Sequence, residues 1–220
     1  MVVAIDGPAA SGKTITAKLL AEKLNFIHLN SGLMYRALTY LTLNNKITLE
    51  SLIKEDIFNH SKIYFKGKNL DKVFFNEIDI TSKLFKQDIN DNIKEVSNNS
   101  QIREKLIKFQ RFIVKDKNVV CEGRDIGSVV FPGAEFKFFL VASIDTRINR
   151  RFFQLSSKSN VTKSEIRNSL VERDNNDKNR KVSPLVKVND SIEVDTTLLT
   201  IKNQVDLLYN IILNKEKNDK

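Results

Sequence analysis

A single cysteine, Cys121, stands in the 220 residues, so the chain cannot close a disulfide within itself. That excludes a small extracellular fold stapled by disulfides and makes a reducing, cytoplasmic setting the expected one. No apolar run approaches the roughly 20 residues needed to span a bilayer. The N-terminal residues lead into a short strand rather than a secretory signal. The only two histidines, His28 and His60, are too far apart to suggest a metal site. Seven glycines and three prolines are scattered without forming a linker, and no internal repeat divides the chain. The length suits one α/β domain with room for insertions.

The net charge of +9 is spread rather than concentrated, since lysines recur throughout. There is no basic stretch interleaved with aromatics, so nucleic acid is not an expected partner. An N-K-x-D guanine-reading motif is also missing, which disfavours a GTP switch. The arginines are distributed differently from the lysines. Nearly all lie in the second half, around 103–111, 124, 147–151 and 167–180. A cleft holding several phosphates needs that kind of concentration.

Five short apolar runs read as buried strands of a parallel sheet: Val2–Ile5, Phe26–Leu29, Val119–Cys121, Phe136–Ala142 and Ile192–Val194. Helical patterns separate most of them, as right-handed βαβ crossovers require. Ile201, Val205, Leu208 and Ile212 mark a last helix with Thr200 as its N-cap, followed by a charged, frayed tail from Lys215. Strand-like pieces at 62–67 and 72–77, joined around Gly67-Lys68-Asn69, predict a small β-meander inserted between the second and third runs. The polar stretch from Gln154 to Arg180 has the composition of a mobile flap.

Directly after the first run comes Gly7-Pro8-Ala9-Ala10-Ser11-Gly12-Lys13-Thr14. The pattern G-x-x-x-x-G-K-[ST] arises by chance in roughly one chain per hundred of this size. Here it sits between a strand and a helical pattern, where backbone N–H groups and a helix N-terminus converge on an anion. Lys13 would reach the β- and γ-phosphates of a nucleotide, and Thr14 would offer its hydroxyl to Mg²⁺. A ligand in such a sheet binds beyond the C-terminal strand ends. The second run delivers Asn30-Ser31-Gly32-Leu33-Met34-Tyr35-Arg36 to that edge, and the third delivers Glu122-Gly123-Arg124-Asp125. Arg173, Asp177 and Arg180 are spaced to share one helix face, as are Arg147 and Arg151. Spacing alone fits a solvated ion-paired face as well, but phosphoryl transfer needs positive charge from a part that can close.

Cys121, His28 and the pairs Phe74-Phe75 and Phe152-Phe153 are expected to be packing residues. Asn160-Val161-Thr162 fits a glycosylation pattern that has no meaning in a cytoplasmic chain.

These segments together resemble the bacterial cytidylate kinases. The resemblance is carried by the loop within Ile5-Asp6-Gly7-Pro8, by Ser31-Gly32 with Met34-Tyr35-Arg36, and by Gly123-Arg124-Asp125-Ile126-Gly127 with Val129-Val130-Phe131-Pro132. It continues through Glu172-Arg173-Asp174, Asp177, Arg180 and Ser183-Pro184-Leu185, in order over almost the whole chain. It implies an α/β fold, with a five-stranded parallel P-loop core flanked by helices at 1–44 and 101–220. An inserted, small β-containing monophosphate-binding region would occupy 45–100 and a mobile lid 152–182.

The implied activity is phosphorylation of CMP or dCMP by ATP with Mg²⁺, in a monomer, with a P-loop kinase of another nucleoside monophosphate or small acceptor as the alternative. Gly7 through Thr14 would hold the ATP phosphates, Lys13 among them. Ser31, Tyr35, Arg36, Arg103, Arg124 and Asp125 would surround the monophosphate. Arg173 would reach its phosphate, Asp177 and Arg180 its sugar, and Arg147 or Arg151 the transferring group. The chain departs from the family at Asn30, where Asp is usual, and at Thr14-Ile15, where a hydroxyl is nevertheless kept beside the lysine. It also has Lys94 where the family has a base-reading serine, so Ser97 or Ser100 is expected to take that part.

Overall fold

The apolar run at the start of the chain forms β1 (Val2–Asp6), whose side chains alternate between two buried faces. A computed structural model of the chain describes residues 1–44, 47–54, 63–156 and 160–218. The expectations for Lys62, for His60 and for part of the lid segment (157–159) lie outside the described residues.

After β1 come α1 (Lys13–Leu24), β2 (Ile27–Asn30), α2 (Ser31–Asn44) and α3 (Leu49–Lys54). A small excursion follows, with β3 (Ile63–Lys66), β4 (Lys72–Phe75), β5 (Ile78–Asp79), a 3₁₀ turn at Thr81–Phe85 and α4 (Gln87–Asn98). The chain then returns through α5 (Ser100–Ile113), β6 (Val119–Glu122), a wide π-type turn at Ile126–Val130 and β7 (Phe136–Val141). It ends with α6 (Ile144–Leu155), α7 (Lys163–Asn179), β8 (Ile192–Asp195) and α8 (Ile201–Asn218).

The five long-range strands form one all-parallel sheet in the order β2-β6-β1-β7-β8. β1 lies at its centre, so the loop leaving it opens where the strand order reverses, the place such sheets bind ligands. Val3, Ile5 and Val120 face α1 and α8, sharing a core with Ala17, Leu20, Leu208 and Ile212. Ala4, Val119 and Cys121 face the other way, toward Leu33, Leu38, Ile102 and Leu106. Each such aliphatic side chain contributes about 1.5–3 kcal/mol by leaving water. Cys121 is packing, as expected: it is fully buried, and burial pushes its thiol well above the ordinary range.

β3, β4 and β5 make a separate antiparallel sheet, the expected meander. Its turn begins at Gly67, with φ of 92°, whose carbonyl accepts from Leu70 N. Ile63, Val73 and Phe75 from this sheet join the cluster that also contains Leu41 and Leu106. Tyr64 stacks on Phe74 with centroids 5.2 Å apart.

Some boundaries differ from the sequence reading. The polar stretch at 154–180 is mostly α7, a helix of 17 residues. Thr162 and Glu165 form a capping box that satisfies its first amides, which explains a regular helix in so polar a segment. Thr162, the last residue of the glycosylation-like triplet, is therefore a helix cap. Arg180 is the residue on which α7 ends: its N–H still donates to Asn176 O and its Nη1 lies 3.9 Å from Asp177 Oδ1, so it stays beside Asp177 while the chain after it turns extended. Phe152 packs beside Ile148 and Ile166, but Phe153 is 76% exposed, because it follows Phe152 onto the opposite flank of α6. α8 runs on past Lys215 to Asn218 instead of fraying there; Lys215 Nζ lies 5.2 Å from the centre of the Phe136 ring. Thr200 caps this helix as expected, its hydroxyl accepting from Asn203 N.

Candidate active site

The loop from Gly7 to Thr14 curls against the C-terminal end of β7. Gly7 has φ of 147°, and a Cβ there would lie 2.1 Å from the Leu140 carbonyl oxygen, so only glycine fits. Lys13, the first residue of α1, folds back into the loop. Its Nζ donates to Pro8 O at 2.6 Å and Ser11 Oγ at 3.3 Å. Burial, followed by the nearby Arg124 guanidinium, pushes the Lys13 ammonium well below its ordinary value. Thr14 Oγ1 donates to Glu122 Oε1 at 2.7 Å. This hydroxyl and carboxylate are hard oxygen donors of the kind Mg²⁺ takes beside nucleotide phosphates. Among the described residues, no group of three or more His, Cys, Asp or Glu is placed to hold a metal by itself.

The end of β6 forms the next wall. A Cβ on Gly123 would meet Ser31 Oγ at 2.5 Å and Ile126 Cδ1 at 2.8 Å, so a side chain at 123 would force this corner apart. Ser31 Oγ itself donates to Glu122 O at 2.8 Å. Arg124 Nε donates to Asp177 Oδ2 at 2.7 Å. Burial opposes the Arg124 charge, yet Asp177 outweighs it and holds the guanidinium above its ordinary value. The turn beyond is anchored by Asp6, which accepts from Ile126 N at 2.9 Å and Gly127 N at 2.8 Å. Burial lifts the Asp6 carboxyl to about 6.

A second cluster lies beside the first. Arg103 donates to Asp125, and its guanidinium carbon sits 5.2 Å from the centre of the Tyr35 ring. Arg180 Nη2 approaches Asp125 Oδ1 at 3.6 Å, while its Nε donates to Ser183 O at 2.5 Å. Burial pushes the Tyr35 hydroxyl up to about 12, so it stays protonated. Arg103 Nε and Arg180 Nη2 are buried without a hydrogen-bond partner among the described residues. Such atoms are costly unless something accepts from them.

Between the two clusters the guanidiniums of Arg36, Arg124, Arg151 and Arg173 repel one another. Burial and then Arg151 and Arg124 bring Arg36 down to about 10. Burial and then Arg124 bring Arg173 down to about 10 as well, with Arg36 and Arg151 adding to it. Arg36 is steadied by Leu84 O at 2.9 Å and Asn90 Oδ1 at 2.7 Å. Arg151 is partly open to solvent, and its Nη1 donates to Gln154 Oε1 at 3.4 Å. Arg147 stands apart: its Nη1 donates to Asp174 Oδ2 at 2.5 Å and to Ala9 O at 3.2 Å.

A family model described as cytidylate kinase matches residues 3–214. The chain belongs to the cytidylate kinase family. It is 41% identical to a cytidylate kinase of Fusobacterium nucleatum over 210 residues, covering 94% of this chain and 95% of that one. It is 39% identical to a cytidylate kinase of Enterococcus faecalis, covering 97% and 96%. The fold matches a solved structure of an uncharacterized protein from Eubacterium ventriosum, with a TM-score of 0.54, 14% identity and coverage of 97% and 98%.

Within this cytidylate kinase framework, the positions anticipated for base reading lie on α4 and at the start of α5. Ser97 lends its carbonyl to Arg103 Nη1 at 3.0 Å, and Ser100 is an exposed first residue of α5. Lys94 is exposed on α4, its Nζ 3.9 Å from Glu172 Oε1 on α7. Several residues now seen at the site were not assigned from the sequence. Glu122 and Asp6 each end a strand at the binding edge, which was the available signal. Asp174 was read only within Glu172-Arg173-Asp174, with no role of its own. Arg150, one of the arginine group at 147–151 expected near the transferring phosphoryl group, ties Ser11 O and Thr196 together through contacts between distant segments.

Proposed function

We propose that this cytidylate kinase transfers the γ-phosphoryl group of ATP to the phosphate of CMP or dCMP, giving ADP and the diphosphate. The observation that carries the reading is the convergence of Arg36, Arg124, Arg151 and Arg173 on one another, beside Lys13. A fold tolerates such repulsion where a polyanion is to be neutralised. The acceptor is already a phosphate oxygen, so no strong base is required. Catalysis is positioning and charge neutralisation in a site from which water is excluded.

In this reading the backbone from Gly7 to Thr14 and Lys13 hold the donor phosphates. Mg²⁺ would sit at Thr14, with Glu122 behind it, and would supply neutralisation of the charge on the phosphate oxygens. Arg36, Arg124 and Arg173 take the acceptor phosphate, and Arg151 takes the group in flight. Tyr35, Arg103, Asp125 and Arg180 line the pyrimidine side, where the unpartnered donors of Arg103 and Arg180 meet its acceptors. Ser31 and Asp177 act by seating Glu122 and Arg124. Arg147 acts through Asp174, to which its Nη1 is bonded, although its Nε is buried without a partner among the described residues.

The reading includes a monomer working in a reducing cytoplasm, supported by the lone buried thiol. No helix among the described residues is long and apolar enough to cross a membrane. Coupled ADP release, with CMP, dCMP, UMP and AMP offered separately, tests the assignment. CMP and dCMP should be turned over fastest; an equal or higher rate with AMP would overturn it.

A further inference from the structure

Ala9, the third residue of the phosphate loop, is gripped on both sides by one ion pair from outside the loop. Its N–H donates to Asp174 Oδ1 at 3.2 Å, and its carbonyl accepts from Arg147 Nη1 at 3.2 Å. Arg147 Nη1 and Asp174 Oδ2 are themselves 2.5 Å apart. All three residues are buried, and Ala9 shares a small apolar cluster with Ile148, Ile166 and Leu170 of α6 and α7. The next residue, Ala10, has φ of 59°, a left-handed conformation that alanine keeps only when its neighbours hold it.

The same peptide unit has a second partner. Pro8 O, on one side of the Pro8–Ala9 bond, accepts from Lys13 Nζ at 2.6 Å, while Ala9 N–H, on the other, donates to Asp174. Lys13, this peptide, Asp174 and Arg147 thus form a continuous hydrogen-bonded chain. Each link polarises the next. A lysine that turns to a donor phosphate leaves Pro8 O, and the Ala9 N–H becomes a weaker donor to Asp174. Asp174 sits on α7 directly after Arg173, and one turn before Asp177, which is bonded to Arg124. The helix therefore rests at one point on the donor loop and at another on the acceptor pocket.

We infer that Asp174, seated by Arg147, is a positioning residue that couples the donor and acceptor sites through the Pro8–Ala9 peptide and α7. The inference rests on the reading of Lys13 as the ligand of the donor phosphates. Linkage makes the coupling reciprocal: whatever ATP does to the affinity for CMP, CMP does to the affinity for ATP. A pair that merely held the fold together would lower the melting temperature and leave this factor untouched.

Calorimetric titration of the full chain with CMP, with and without a saturating non-hydrolysable ATP analogue and Mg²⁺, reads the factor directly. The wild-type protein should show a difference of about fivefold or more. In Asp174→Ala it should fall to within about twofold of unity. Asp174→Asn, which keeps an acceptor for the Ala9 N–H but not the charge facing Arg147, should lie between. A folded Asp174→Ala protein with the wild-type factor overturns the inference, and so does a wild-type factor near one. If Asp174→Ala does not fold, the same criterion is applied to the isosteric Asp174→Asn. Wild-type protein that binds neither nucleotide fails the functional reading itself, whereas binding with unchanged coupling fails this inference alone.

Discussion

The hydroxyl of Thr14 donates a 2.7 Å hydrogen bond to Glu122, joining the end of the phosphate loop to the end of the neighbouring strand across 108 residues of sequence. In the proposed reading Mg²⁺ would sit at the Thr14 hydroxyl with the Glu122 carboxylate as its outer partner. Glu122→Gln keeps the shape and removes the charge. The Mg²⁺ concentration for half-maximal rate should rise by roughly 10- to 100-fold, the usual effect of losing an outer partner of a metal site. A metal titration of the coupled assay checks it, and an unshifted curve removes Glu122 from the site.

Lys13→Ala should lower turnover by about 10²–10³, the cost of one charged donor aimed at a developing negative charge. The circular dichroism spectrum should stay that of the folded protein. A variant with near-normal rate would show that the Nζ now bonded to Pro8 O and Ser11 Oγ never serves the phosphates.

Arg124→Met separates the two nucleotides. The Michaelis constant for CMP should rise by about 10- to 100-fold, the value of a hydrogen bond to a charged group. The constant for ATP should change by less than about threefold. Stability should also fall by roughly 1.5–3 kcal/mol, because Asp177 loses its charged hydrogen bond and is left with Arg180 Nη1, 3.9 Å away. Equal losses for both substrates would refute the assignment.

Asp6 sets a pH dependence whose sign follows from burial. Its folded carboxyl titrates at about 6 against an ordinary 3.8, so the folded state holds the proton more tightly than the unfolded state. Its contribution is fully present below about pH 4 and is lost as the pH rises through about 6. Urea unfolding of the wild type and of Asp6→Asn should show the wild type losing about 3 kcal/mol relative to the variant across that window. A constant difference between the two would mean that Asp6 does not titrate there.

The five strands of the main sheet were legible because apolar runs in a parallel sheet are buried on both faces. Their C-terminal ends were not. Asp6, Asn30, Glu122 and Asp195 each extend a strand by one residue beyond the apolar run, since the ladder pairs backbone and ignores the polar side chain. Two of those added residues, Glu122 and Asp6, hold Thr14 and the turn at Ile126 and Gly127. The phosphate loop was legible because it is local, with all eight of its residues adjacent in the sequence. The bond between Ala9 and Asp174 spans 165 residues and leaves no periodicity to find. Helical spacing placed Arg180 beside Asp177, which it approaches at 3.9 Å, but its bond to Ser183 O and its approach to Asp125 depend on where the chain turns after the helix.

Arg36 and Arg173 are each held in their charged form against the field of two or three other guanidiniums. A small dianion placed among them would relieve that repulsion, whether or not it belongs to a nucleotide. Millimolar sulfate or inorganic phosphate, in the absence of both substrates, should raise the melting temperature, with chloride at equal ionic strength doing much less. Selection for an acceptor would then begin with the pyrimidine-side contacts, since tetrahedral oxyanions in general satisfy the other half of the pocket.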